Sequence, residues 1–73
     1  MQTFDLEDHE YIELNSLLKL TGLCSSGGIA KLLIADGLVT VDEQIERRKR
    51  CKVRAGQTVS YDGRKIQVVR QEN

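Results

Sequence analysis

The residues of this chain whose types and spacing most strongly suggest chemistry form one dense run of cations. Within the eight-residue stretch from Arg47 to Arg54, the basic residues are Arg47, Arg48, Lys49, Arg50, Lys52 and Arg54. Arginine can fork onto a phosphate or stack on a base, whereas lysine acts as a point charge. Because a run this dense repels itself, it favours a polyanionic partner over the alternative of a solvated loop with none.

A second candidate anion site lies earlier in the chain, in the segment Ser25-Ser26-Gly27-Gly28. Two serines before an apolar periodic run indicate the start of a helix. The start of a helix exposes unpaired N–H groups and the positive end of the helix dipole, which suit a phosphate. The residues predicted to bind one anion here are Ser25, Ser26, Gly27 and, one turn further on, Lys31. A plain helix cap is the alternative interpretation.

The formal net charge of zero conceals a strong division of charge along the chain. Residues 1–46 carry two basic and nine acidic side chains, a net charge of −7. Residues 47–73 carry nine basic and two acidic side chains, a net charge of +7. This asymmetry predicts a polyanionic partner for the basic part and leaves the acidic segment at residues 1–10 without an assigned role.

The remaining reactive residues argue against catalysis, cofactors and metal binding. His9 has no nearby Ser or Cys, and the glycines form neither a phosphate-binding loop nor a dinucleotide fingerprint. Zinc would need about four ligands, whereas Cys24 and Cys51 are 27 residues apart with no ligand at suitable spacing. Cys24 is predicted to pack in a turn, and the cations around Cys51 are expected to lower the pKa of its thiol.

The chain also has no sequence signal for a membrane or for export. No apolar run approaches the roughly 18 residues that span a bilayer, and the first residues lack the basic and apolar regions of a signal peptide. A disulfide is therefore not expected. We predict a cytoplasmic protein that is a monomer, without a metal or cofactor, and with a protein partner left open.

Hydrophobic spacing predicts two short helices. Apolar positions at helical intervals from Leu14 to Thr21 indicate the first helix, which Gly22 ends. The second is predicted from Gly27 to Asp36, with Gly37 ending it. Neither helix would be stable alone in water, so the two must pack on another element.

Alternation of apolar and polar residues predicts strands after the helices, at residues 38–41, 58–61 and 64–69. A further short strand is predicted before the helices, around residues 3–6. Asp62-Gly63 is a favoured hairpin turn between the last two strands, and Val53 is the one expected core residue of the basic stretch. The predicted fold class is α+β, with two helices packed on a small, mainly antiparallel β-sheet. We expect a single domain over residues 1–73, with residues 70–73 frayed.

These elements carry a resemblance to a known family. The matching residues are Gly22-Leu23, Ser26, Ala30-Lys31, Leu33-Ile34, Gly37, Val39 and Val41, followed by Ala55-Gly56-Gln57-Thr58-Val59. Over residues 11–69 the chain resembles the αL RNA-binding motif of ribosomal protein S4, of some pseudouridine synthases and of bacterial tyrosyl-tRNA synthetases. The resemblance implies a bacterial, non-catalytic RNA-binding domain. The chain departs from the family at Gly27, where an arginine is usual, and its basic stretch is unusually dense.

The scarcity of aromatic residues narrows the predicted RNA class. Phe4, Tyr11 and Tyr61 are the only aromatics, and they are too few to stack several bases of a single strand. We therefore predict recognition of structured RNA, such as ribosomal RNA or tRNA, by shape and phosphate position. Two alternatives remain open: helix-turn-helix-like DNA binding, suggested by the helix pair, and a protein-interaction module with segregated acidic and basic faces.

Overall fold

The computed structural model describes residues 1–70, so most of the predicted frayed end at residues 70–73 lies outside the described residues. The helices are α1 (Leu14–Leu20) and α2 (Gly27–Ala35), and the strands are β1 (Gln2–Asp5), β2 (Ile12–Glu13), β3 (Thr40–Val41), β4 (Gln44–Ile45), β5 (Lys52–Val53), β6 (Thr58–Tyr61) and β7 (Arg64–Val69). The α+β prediction is confirmed, with both helices within a residue or two of their predicted bounds.

Five strands form the main sheet, in the order β1-β7-β6-β3-β4. Strands β6 and β7 are the predicted hairpin, and Asp62 and Gly63 between them have φ angles of 53° and 75°. Strand β1 pairs in parallel with β7, and Gln2 lies beside Ile66. That pairing joins the two ends of the described chain and makes the otherwise antiparallel sheet mixed.

The core fills the space between the helix pair and one face of the sheet. Leu14, Leu17 and Leu18 of α1 are fully buried, as their helical spacing predicted. The other buried side chains are Leu6, Cys24, Ala30, Ile34, Val39, Val41, Val53, Val59, Ile66 and Val68. Burial of Cys24 and Val53 confirms the structural roles predicted for both residues.

A tight hairpin turn connects β3 to β4, and the basic stretch follows β4. Asp42 and Glu43 both adopt left-handed conformations, with φ angles of 50° and 69°. Asp42 tolerates this because its Oδ1 accepts a hydrogen bond from the Thr58 N–H at 2.9 Å. The Asp42 N–H donates in turn to the Thr58 carbonyl at 2.8 Å. These bonds tie the turn to β6 and so set where the basic stretch begins.

A second, two-stranded sheet was not predicted. Strands β2 and β5 pair antiparallel, with Ile12 beside Val53 and Glu13 beside Lys52. Because β2 runs directly into α1, this pairing places the basic stretch at the beginning of the first helix. Within residues 1–70, neither helix is long and apolar enough to cross a membrane.

Candidate nucleic-acid interface

The backbone of the basic stretch caps the beginning of α1. Glu13 precedes the helix and makes no side-chain cap. Instead, the Leu14 N–H donates to the Cys51 carbonyl at 2.9 Å and the Asn15 N–H donates to the Lys49 carbonyl at 3.1 Å. Two of the unpaired N–H groups of the first turn are therefore satisfied by the loop. The cations of the stretch are thus carried on a backbone that is fixed to the helix.

Arg47 packs against the other helix. Its Nη2 atom lies 2.8 Å from the point where a Cβ on Gly37 would be, and Gly37 has a φ angle of +77°. Gly37 follows the last turn of α2 and its N–H donates to the Ile34 carbonyl. A cation at this end of a helix interacts favourably with the helix dipole. Arg47 therefore has a structural contact that its place in the basic stretch did not indicate.

Arg48 is paired with an acidic neighbour. Its Nε and Nη2 atoms donate to the Glu46 carboxylate at 3.0 and 2.9 Å, and its backbone N–H donates to the same group at 3.0 Å. These bonds lower the pKa of Glu46 to about 2 and raise that of the Arg48 guanidinium. The two charges largely cancel, although the Arg48 side chain remains 78% exposed.

The same cluster corrects the expectation for Cys51. Partial burial raises the pKa of its thiol, and the hydrogen bond and negative charge of Glu46 raise it further. Arg48 acts in the opposite direction but more weakly. The prediction that surrounding cations lower the pKa was wrong, because burial of the thiol and the nearby Glu46 together outweigh the effect of Arg48.

Tyr11 is a member of the basic surface that the sequence analysis missed. The Lys52 Nζ atom lies 5.0 Å from the centre of the Tyr11 ring, and the Arg54 Cζ atom lies 5.7 Å from it. A ring face attracts cations without neutralising them. Tyr11, which is 38% exposed, therefore holds two cations in place while their charges remain available.

Lys49 and Arg50 lie on the turn in the middle of the stretch. Both side chains are exposed, and within residues 1–70 neither has an acidic partner. Arg48, Arg50, Cys51 and Lys52 line a shallow concavity of about 380 Å³. The structure thus brings several of the predicted cations together, and in the described part of the chain Arg48 is the only one of the six that forms an ion pair, although Glu13 is the cross-strand neighbour of Lys52.

The beginning of α2 has the capping geometry that the two serines predicted. Ser26 Oγ accepts from the Ile29 N–H at 3.2 Å, and the Ser26 carbonyl accepts from Ala30 at 3.1 Å. In residues 1–70 the N–H groups of Gly27 and Gly28 have no acceptor. A Cβ on Gly27 would meet nothing within 4 Å.

The two predicted anion sites are not brought together. Arg47 contacts the end of α2, whereas Ser25, Ser26 and Gly27 stand at its beginning. A nine-residue helix is about 13 Å long at 1.5 Å per residue. Lys31 is exposed on the second turn. A ligand that contacted both sites would have to extend along the helix pair.

No metal cluster accompanies these cations. Among residues 1–70, no three His, Cys, Asp or Glu side chains are placed so that they could share a metal ion. The arrangement is therefore one of fixed positive charges and unpaired N–H groups, which suits phosphates.

Two helices packed on a mixed, mainly antiparallel sheet are the arrangement of one known class of domain. The S4 domain model matches residues 4–69, and the chain belongs to the S4 domain family. It is 55% identical to YbcJ of Escherichia coli (strain K12) over 69 residues, 94% of this chain and 99% of YbcJ. The name of that protein assigns RNA binding to it provisionally.

Two further comparisons agree with this assignment. YbcJ of Shigella flexneri, which has no described function, is likewise 55% identical over 94% of this chain and 99% of its own. The solution structure of YbcJ from E. coli matches with a TM-score of 0.74 over 94% of this chain and 87% of that one. It is described as revealing an αL motif involved in RNA binding. The predicted family and fold class are confirmed.

Proposed function

We propose that this chain is a non-catalytic RNA-binding protein that recognises structured RNA by shape and phosphate position. The observation that carries the proposal is the surface formed by Lys49, Arg50, Lys52 and Arg54, none of which forms an ion pair in residues 1–70 although the chain has 11 acidic residues. Uncompensated cations on a fixed backbone suit a polyanion. The RNA binding ascribed to the YbcJ relatives supports the same function.

The six cations of the stretch have unequal roles in this proposal. Lys49 and Arg50 contact phosphates directly, while Lys52 and Arg54 do so from positions set by Tyr11. Arg47 and Arg48 mainly hold the loop in place. A second phosphate contact, at the beginning of α2 near Ser25, Ser26, Gly27 and Lys31, extends the surface along the helix pair. Ribosomal RNA and tRNA both present suitable phosphates, and binding takes place in the cytoplasm as a monomer.

Four phosphate contacts predict a steep dependence of affinity on salt. Each neutralised phosphate contributes about 0.7 to 0.9 to the slope of log affinity against log salt concentration, so the four contacts of the basic stretch give a slope of about −2.8 to −3.6. Affinity for RNA should then fall about 50- to 150-fold between roughly 50 and 200 mM salt. Fluorescence anisotropy with a labelled RNA hairpin measures both the affinity and the slope.

Matched double substitutions test where the RNA binds. Lys49→Gln with Arg50→Gln should weaken binding by roughly tenfold or more and make the salt slope shallower by about 1.5. The control, Arg64→Gln with Lys65→Gln, removes the same charge from the start of β7. Equal losses in both doubles would show that net charge, not this surface, determines binding.

A competition experiment separates RNA from DNA. Unlabelled structured RNA should displace the labelled hairpin at lower concentration than duplex DNA of the same sequence. A preference for the DNA duplex would overturn the proposal and favour the helix-turn-helix alternative. Lys31→Gln, measured in parallel, should make the salt slope shallower by less than about 1. If the slope stays the same, the beginning of α2 is not part of the RNA-binding surface.

A further inference from the structure

A groove on the acidic side of the molecule has no part in the proposed RNA contact. It lies between β1, the turn that follows it and the outer face of α1, and it has a volume of about 520 Å³. Phe4, Ile12 and Leu20 line it with apolar side chains, and Asp5, Glu7 and Glu13 line it with carboxylates. We propose that this groove docks a basic, extended segment of a partner protein that carries at least one aliphatic side chain.

The apolar part of the groove requires an apolar contact. Leu20 is the last residue of α1 and is 66% exposed. Phe4 and Ile12 line the same groove, where they are partly buried and packed against the core. Covering an exposed leucine removes apolar surface from water and favours binding. The methylene stem of a lysine covers such a surface less completely than a leucine side chain does.

The carboxylates determine the charge of the ligand. Glu7 and Glu13 line the groove, and within residues 1–70 neither forms an ion pair, although Lys52 is the cross-strand neighbour of Glu13. Residues 4–20, which supply all of the groove, carry five acidic side chains and one basic side chain, a net charge of −4. Phosphates would be repelled here, whereas lysine and arginine side chains would be attracted. The partner segment is therefore basic, and the groove does not compete with the proposed RNA surface.

The rim of the groove has a defined shape. Asp5 Oδ1 accepts from the Glu7 N–H at 2.8 Å, and the His9 N–H donates to the Leu6 carbonyl at 3.0 Å. These bonds fold the chain into a tight turn immediately after β1. Glu7 stands on this turn with a φ angle of 58°. An extended segment thus meets carboxylates in fixed positions along the β1 side.

A second copy of this chain fits the groove less well than a partner protein. Its cationic segment, residues 47–54, would match the charge of the groove. Within that segment Val53 is fully buried and Cys51 is half-buried against the core, and the nearest exposed aliphatic residue is Ile45, which is held in the β3–β4 hairpin. A second copy could cover Leu20 only with Ile45, which is fixed in a hairpin beside the ion-paired Glu46 and Arg48, so an extended segment of a different protein fits the groove better.

Tyr11 stands at the boundary between the two surfaces. Its side chain lines the groove, while Lys52 and Arg54 lie over its ring. The cations of the docked segment would be repelled at this end and would lie towards Glu7 and Asp5. RNA and the partner segment could then occupy the protein together, on either side of Tyr11.

The test uses short synthetic peptides and amide NMR spectra of the intact protein. A blocked peptide of alternating lysine and leucine should shift the amide signals of β1, β2 and the outer face of α1. A lysine-only peptide should bind about tenfold more weakly because it covers less of the apolar surface. A glutamate–leucine peptide should not bind. Equal binding of the lysine-only peptide, or shifts confined to other surfaces, would overturn the proposal, as would no binding of the lysine–leucine peptide at millimolar concentration.

Matched variants make the test specific. Leu20→Ala should weaken binding of the lysine–leucine peptide about tenfold, whereas Leu32→Ala, which removes an equally exposed leucine (65%) from α2, should not. Glu7→Gln with Glu13→Gln should reduce both affinity and salt dependence. Equal effects of the two leucine variants would contradict docking in this groove. Groove shifts that grow with protein concentration alone would identify a second copy as the ligand and would also overturn the proposal.

Discussion

Replacing Glu46 with glutamine should destabilise the protein at neutral pH. Glu46 accepts three hydrogen bonds from Arg48, and its pKa is about 2 instead of the ordinary 4.5. In a site shielded from water, a depression of that size would correspond to about 3 kcal/mol. The Glu46 side chain is only 18% exposed, but Arg48 is 78% exposed, so solvent screens the pair and about 1 kcal/mol is expected to remain.

The pH dependence of this effect has a definite sign. Because folding lowers the pKa of Glu46, the ionised carboxylate stabilises the folded protein above pH 4.5, and that stabilisation disappears as the pH falls towards 2. Urea unfolding of the parent and of Glu46→Gln should therefore differ at pH 7 and converge in acid. Glu43→Gln, which changes an exposed acid on the preceding turn, is the control and should stay within about 0.5 kcal/mol of the parent.

Cys51 gives an independent readout of the same substitution. Since the charge and hydrogen bond of Glu46 raise the pKa of the Cys51 thiol, Glu46→Gln should lower that pKa and speed the reaction with a disulfide reagent near pH 8. The rate is measured in proteins that also carry Cys24→Ala, so that the reaction reports on the Cys51 thiol alone. The stabilising role of the Glu46–Arg48 ion pair would be refuted if the unfolding curves of the parent and Glu46→Gln coincided at every pH. It would also be refuted if the curves separated further in acid.

Two further pairs of substitutions test the packing that positions the interface. In urea unfolding, Leu17→Ala should destabilise the fold by about 2 to 5 kcal/mol, because the Leu17 side chain is fully buried. Leu20→Ala changes an exposed side chain and should alter the free energy of unfolding by less than about 0.5 kcal/mol. Equal losses in the two variants would contradict the described core. In thermal unfolding, Gly37→Ala should lower the free energy of unfolding by more than Gly22→Ala does, with a difference of up to about 1 kcal/mol. Both glycines have positive φ angles, but only Gly37 has the Arg47 guanidinium against it; equal effects would show that Arg47 does not make that contact.

Much of the fold follows from local patterns. The spacing of Leu14, Leu17 and Leu18 indicated α1, and Asp62-Gly63 indicated the last hairpin, since each signal acts over a few residues. The parallel pairing of β1 with β7 and the β2–β5 ladder were not predicted. Their strands are two to six residues long, and no local signal specifies a partner that lies far away in the chain.

The sequence showed where the cations of the candidate site lie along the chain but not what each of them contacts. The density of the basic run marked where the cations lie. Which of them are engaged within the protein depends on the fold: Arg47 meets Gly37 at the end of α2, and Tyr11 meets Lys52 across the β2–β5 ladder. The pairing of Arg48 was the exception, because an acidic residue two positions earlier was visible in the sequence. The ring of Tyr11 left no comparable local signal.

One measurement addresses the central proposal most directly. Amide NMR spectra of the whole chain, recorded during titration with an RNA hairpin, should show the largest changes between Lys49 and Arg54 and at Tyr11. Smaller changes are expected at Gly27 and Gly28, and the acidic groove around Glu7 should be unaffected. RNA binding through the basic stretch would be contradicted if the largest changes lay in the groove or on the exposed face of the sheet and the amide signals of the basic stretch did not change.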